Sequence, residues 1–114
     1  MANEVIGFRV GNANVNMTSL QGHIRTSYAD LVGCFGEPTD CYDDYKSDAG
    51  WDITFADGVV ATVYNWKDGP NYLGDDGTPV EYIREWHIGG FPGTGAESRV
   101  KEVMSAYLDR VCVA

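Results

Sequence analysis

Residues 64–74 read Tyr-Asn-Trp-Lys-Asp-Gly-Pro-Asn-Tyr-Leu-Gly, and residues 86–90 read Trp-His-Ile-Gly-Gly. Large flat side chains, carboxamides and positive charge crowd a place where an Asp-Gly pair alone would make a turn. That combination suits a flat polar ligand. Trp and Tyr rings offer stacking faces, Asn65 and Asn71 offer paired donors and acceptors, and Lys67 with His87 offers positive charge to a phosphate. Gly89 and Gly90 carry no Cβ, so their backbone amides could approach an anion closely. The candidate ligand-binding residues are therefore Asn65, Lys67, Asn71, Tyr72, Trp86 and His87. Folding offers the aromatic members a competing role, because Trp66, Tyr72 and Trp86 could equally fill the core of a small sheet. The polar members have no packing reason to be so densely interleaved.

Other chemistries lack their residues. There is no G-x-S-x-G, H-E-x-x-H or Walker glycine run. The two histidines, His23 and His87, stand far apart along the chain. Cys34, Cys41 and Cys112 are odd in number and lack C-x-x-C spacing, which implies neither a disulfide framework nor a zinc knuckle. Asp43, Asp44 and Asp48, and the pair Asp75-Asp76, lack the order and closing Glu of a calcium loop and read as solvated acids. The expectation is a non-enzymatic protein with no metal and no cofactor.

The net charge of −9, from 17 acids against 8 bases, argues against broad contact with a nucleic-acid backbone, which requires Lys and Arg to displace counterions. It permits the reverse, an acidic surface that mimics nucleic acid in another protein's basic groove. No apolar run is long enough to span a membrane. The first residues, Met-Ala-Asn-Glu-Val-Ile, have neither the basic start nor the apolar stretch of a signal peptide, so a cytoplasmic location is expected.

The elements that must position these residues follow from periodicity and punctuation. Residues 5–10 read as a short strand and 19–25 as a second, weakened by Gly22. Ser27 with Asp30 caps a helix carrying Tyr28, Leu31, Val32 and Phe35 on one face, ended by Gly36 and Pro38. Residues 39–49 read as an acidic surface loop. Trp51, Ile53 and Phe55 alternate with polar or small residues, and 59–64 is rich in β-formers. Asp57-Gly58 between them predicts a type I′ hairpin. A loop over 67–79 leads to a third strand over 80–88, broken by Gly89 and Gly90. In this arrangement Trp66 lies nearer Val80 than Trp86, so the loop must fold back to bring Tyr72 to Trp86 and His87. Thr94 with Glu97 predicts a capping box for a final helix, whose apolar stripe is Val100, Val103, Met104, Tyr107, Leu108 and Val111.

The predicted fold is α+β: one domain over residues 1–114, an antiparallel sheet of three to five strands with two helices packed on one face. The apolar stripe of the last helix is core packing, or alternatively an oligomer seam.

The run from Trp51 through D-G-V-V-A-T-V-Y-N-W-K-D-G-P-N-Y-L-G to W-H-I-G-G resembles a family of small proteins encoded by tailed bacteriophages, over roughly residues 18–90. A weaker likeness, in the Leu31–Pro38 helix end followed by the Trp51 hairpin, is to small lipoproteins of outer-membrane β-barrel assembly. It implies only a helix packed on a three-stranded sheet. The phage resemblance implies an accessory protein acting in the bacterial host cytoplasm against host defence. Two readings follow. One is a protein that sequesters a nucleotide immune signal, with a homo-oligomer helping to close the pocket. The other is an acidic inhibitor of a host immune protein such as a CRISPR or restriction nuclease. A virion or assembly component is a third, with the helix stripe as its cue.

Overall fold

The computed structural model describes residues 6–39 and 46–111. Five strands form one antiparallel sheet: β1 (Phe8–Val10), β2 (Ser19–Arg25), β3 (Gly50–Phe55), β4 (Val60–Tyr64) and β5 (Glu85–Gly90), in the spatial order β1-β3-β4-β5-β2. Three helices accompany it: α1 (Tyr28–Phe35), the four-residue α2 (Pro70–Leu73) and α3 (Ala96–Val111). The fold is α+β.

Strand alternation divides the sheet into two faces. Trp51, Ile53 and Phe55 of β3, Ala61 and Val63 of β4, Trp86 and Ile88 of β5, and Ile24 of β2 are all buried. They meet Leu31 and Phe35 of α1 and Val100, Val103 and Met104 of α3 in a single cluster. The Trp51 and Trp86 rings meet edge to face at 5.7 Å, and each indole N–H donates to a carbonyl, Trp51 to Gly36 (2.8 Å) and Trp86 to Thr26 (3.1 Å). Two large rings are thus buried with no orphaned donor.

α1 begins as the sequence implies. The Ser27 side chain accepts from the Asp30 N–H, and Gly36, at φ 86°, ends the helix while its N–H donates to the Val32 carbonyl. The start of α3 differs from expectation. The Arg99 N–H donates to the Gly95 carbonyl, so the helix opens after Thr94, whose hydroxyl turns back to the Phe91 carbonyl at 2.7 Å. Glu97, freed from a capping box, pairs with Lys101 at 2.9 Å.

The hairpin between β3 and β4 forms, with another turn. The Gly58 N–H donates to the Phe55 carbonyl and the Phe55 N–H to the Val59 carbonyl, while Gly58 alone in the turn has positive φ (90°). This is a three-residue connection with a glycine bulge rather than type I′, which would require positive φ at Asp57 too. The third strand also shifts. Residues 80–82 form a 3₁₀ turn, and β5 starts at Glu85 and runs through Gly89 and Gly90 instead of stopping before them. Both glycines are buried between partners on either side, with Gly89 opposite Thr62 and Leu20. A Cβ on Gly90 would lie 2.4 Å from the Ala96 Cβ, so this glycine is what lets α3 pack closely on the sheet. Neither backbone is open to an anion.

β1 and β2 lie at opposite edges, yet Val10 and Ser19 end on the same row of the sheet, Val10–Ile53–Ala61–Gly90–Ser19. Residues 11–18 must therefore cross the sheet, and they do so on the face away from α1 and α3. Asp52, which points to that face, anchors the crossing: its carboxylate accepts from the Ala13 N–H (2.7 Å) and the Thr39 hydroxyl (2.6 Å), and its carbonyl accepts from the Gly11 N–H. Thr62, on the same face, is also buried. Further along this face Tyr64 and His87 are half-buried and His23 is exposed.

Candidate functional site

The uncovered end of that face carries a row of rings. Tyr64 of β4 pairs with His87 of β5, and His87 pairs with His23 of β2. Their ring centres are 5.5 Å and 4.7 Å apart, both edge to face, and Trp66 adds a fourth ring 6.0 Å from Tyr64. The Lys46 ammonium lies 5.3 Å from the centre of the Trp66 ring. Tyr64, Trp66 and His87 are half-buried and His23 is exposed, so the row is a presented surface. Burial raises the Tyr64 phenol above its ordinary value. Burial also lowers the His87 imidazole, the His23 ring beside it adds to the lowering, and Asp68 and Glu85 oppose both. At neutral pH His87 is an uncharged ring, suited to stacking and to ligation.

Alternation explains the row. Tyr64 ends β4 and Trp66, just beyond it, brings its ring to the same side while Asn65 between them turns inward; Trp86 faces the core, so His87 faces away. The antiparallel register sets the end of β4 against the start of β5 and so brings Tyr64 beside His87. The sequence-based placement of Trp66 near Val80 fails because β5 begins five residues later than expected, at Glu85.

The six predicted site residues divide among four environments. His87 lies in the ring row. Trp86, fully buried, is a core residue. Asn65, also fully buried, joins two loops: its Oδ1 accepts from the N–H groups of Asp48 (2.7 Å) and Ala49 (3.0 Å), and its Nδ2 donates to Asp48 Oδ1 (2.9 Å) and Asp68 Oδ1 (3.0 Å). Asn71 completes that joint, its Nδ2 donating to the Ser47 carbonyl (2.9 Å) and its N–H to Asp48 Oδ2 (3.1 Å). Lys67 and Tyr72 form a separate surface pair, the ammonium 5.5 Å from the ring centre. Both carboxamides are thus engaged by the fold, because a turn packed against a second loop needs donors and acceptors as much as a ligand does.

Residues 46–49 are correspondingly less exposed than expected for a surface loop. Ser47 and Ala49 are buried, and the Ser47 hydroxyl donates to the Asn65 carbonyl at 2.7 Å. Asp43, Asp44 and Cys41 lie outside the described residues, as does Cys112. Cys34 is half-buried on α1, and burial pushes its thiol up to about 11, which makes it a poor nucleophile.

The predicted set of site residues leaves out His23, Tyr64 and Trp66. The signal for His23 was the alternation of β2, which puts it opposite Ile24, but only strand pairing reveals its neighbour. No protein-family model and no curated protein matches the chain. Among the described residues no helix is long and apolar enough to cross a membrane.

Proposed function

We propose that the protein binds a flat, anionic ligand of the nucleotide class without transforming it, on the row Trp66–Tyr64–His87–His23. In the context implied by its phage-like sequence, it sequesters a nucleotide immune signal. The observation that carries this reading is the row itself: three rings paired across β4, β5 and β2 with Trp66 beside them from the adjoining loop, on the sheet face away from α1 and α3, half-buried or exposed. A base or sugar edge stacks against Tyr64 and Trp66 with energies of about 1–3 kcal/mol per base. Lys46, beside Trp66, supplies positive charge for phosphate in an otherwise acidic protein.

The test is mass spectrometry of small molecules released from protein purified from defence-active cells, followed by thermal unfolding with cyclic di- and trinucleotides and ADP-ribose derivatives. A bound nucleotide is expected, with stabilisation lost in Tyr64→Ser and Trp66→Ser. No released nucleotide and no shift across the panel would overturn the reading.

A second reading, an acidic inhibitor of a host nuclease, is favoured by the exposed acids Asp75, Asp76, Glu81 and Glu85 along the segment that leads into β5. Charge reversal at Asp75, Asp76 and Glu81 would then abolish inhibition and leave nucleotide binding intact.

A further inference from the structure

We propose that His23 and His87 form a two-imidazole site for a borderline transition-metal ion such as Ni²⁺, Zn²⁺ or Cu²⁺, independent of whether a nucleotide binds the same face. The two residues are direct partners across β2 and β5, and their ring centres lie 4.7 Å apart. With metal–nitrogen bonds of about 2 Å, two imidazoles on one ion hold their ring centres roughly 4.5–5 Å apart when the bonds are about 90–100° apart. The present spacing falls in that range. The rings stand at 82° to one another, and the terminal torsion of histidine is broad, so rotation about Cβ–Cγ can aim one nitrogen of each ring at a shared point.

The backbone does the remaining work. Both side chains project from a paired antiparallel ladder, so little conformational freedom is lost when the ion binds. His23 is exposed and His87 half-buried, which leaves the outer coordination positions to water. Asp68 and Glu85 lie close enough to act electrostatically on His87; Glu85 is already paired with Arg25 at 2.9 Å, so Asp68 is the carboxylate whose charge favours a cation there. Imidazole donors select these ions over Mg²⁺ and Ca²⁺, which require oxygen ligands. Among the described residues no cluster of three or more His, Cys, Asp or Glu side chains offers a rival site.

Isothermal titration of the full chain with NiCl₂, ZnCl₂ and MgCl₂ in a non-coordinating buffer tests the site. One Ni²⁺ or Zn²⁺ per chain is expected, with no heat from Mg²⁺. The sequence holds only these two histidines, so His23→Gln and His87→Gln should each weaken binding about tenfold or more. Alkylating the thiols should leave binding unchanged. Far-UV circular dichroism verifies folding; should His87→Gln not fold, His23→Gln, on an exposed edge position, decides alone. Binding that survives the histidine substitution, that disappears on alkylation, or that is absent for both ions would overturn the proposal.

Discussion

Asn65 sits just past the end of β4 with no exposed surface, and both ends of its carboxamide are engaged by Asp48, Ala49 and Asp68. Removing that side chain strands two backbone N–H groups, at least one of them deeply buried. Each such loss costs about 1–3 kcal/mol, so Asn65→Ala should lower stability by roughly 2–4 kcal/mol in urea unfolding. If Asn65 instead served a ligand on an open surface, the loss would stay within a few tenths of a kcal/mol. His87 makes a second residue-level prediction. Its folded-state affinity for a proton is depressed by burial and by His23, against the pull of Asp68 and Glu85. The unfolded chain therefore takes up that proton more readily, and stability falls as pH drops from about 6.5 towards the lower folded value. Urea midpoints between pH 8 and pH 5 should show this loss, and His87→Gln should show a shallower one.

At the scale of elements, α1 and α3 place similar sequence signals in different structures. Ser27 caps α1 through the Asp30 N–H, whereas the Thr94 hydroxyl bonds to Phe91 outside α3. Ser27→Ala should therefore cost about 1 kcal/mol, and Thr94→Ala only a few tenths, as expected for an exposed bond. Equal losses on thermal or urea unfolding would contradict this assignment. The contrast shows what was legible in the sequence. The α1 face, its Ser27 cap and Gly36 stop, the Trp51–Phe55 alternation and the α+β class all follow from local pattern, because each rests on residues within a turn or two of each other. The Gly58 bulge, the start of β5 at Glu85 and the burial of Gly89 and Gly90 do not. They depend on which strands flank the segment, and a Gly-Gly pair that reads as a break is, in the sheet, what lets Ala96 come close. The candidate site was legible only in part. His87 and the Tyr64–Trp66 stretch were visible, but Asn65 and Trp86 went inward and His23 came in from a strand 64 residues away in sequence, by its pairing with His87.

At the scale of the molecule, two features set the use of its surface. One sheet face is closed by α1 and α3; on the other, the 11–18 crossing is tied to Asp52 and the ring row is half-buried or exposed. The surface around that row belongs to a chain of net charge −9, so the proposed anionic ligand would have to be held by local cations and stacking rather than by the protein's overall field. On this proposal the ligand therefore sits on the rings and not on the acidic approach to β5. The most direct measurement is NMR chemical-shift mapping during titration with the nucleotide that most stabilises the protein. Shifts concentrated on the side chains of Trp66, Tyr64, His87 and His23 are expected. Shifts confined to residues 75–85, or none from any nucleotide in the panel, would contradict the account.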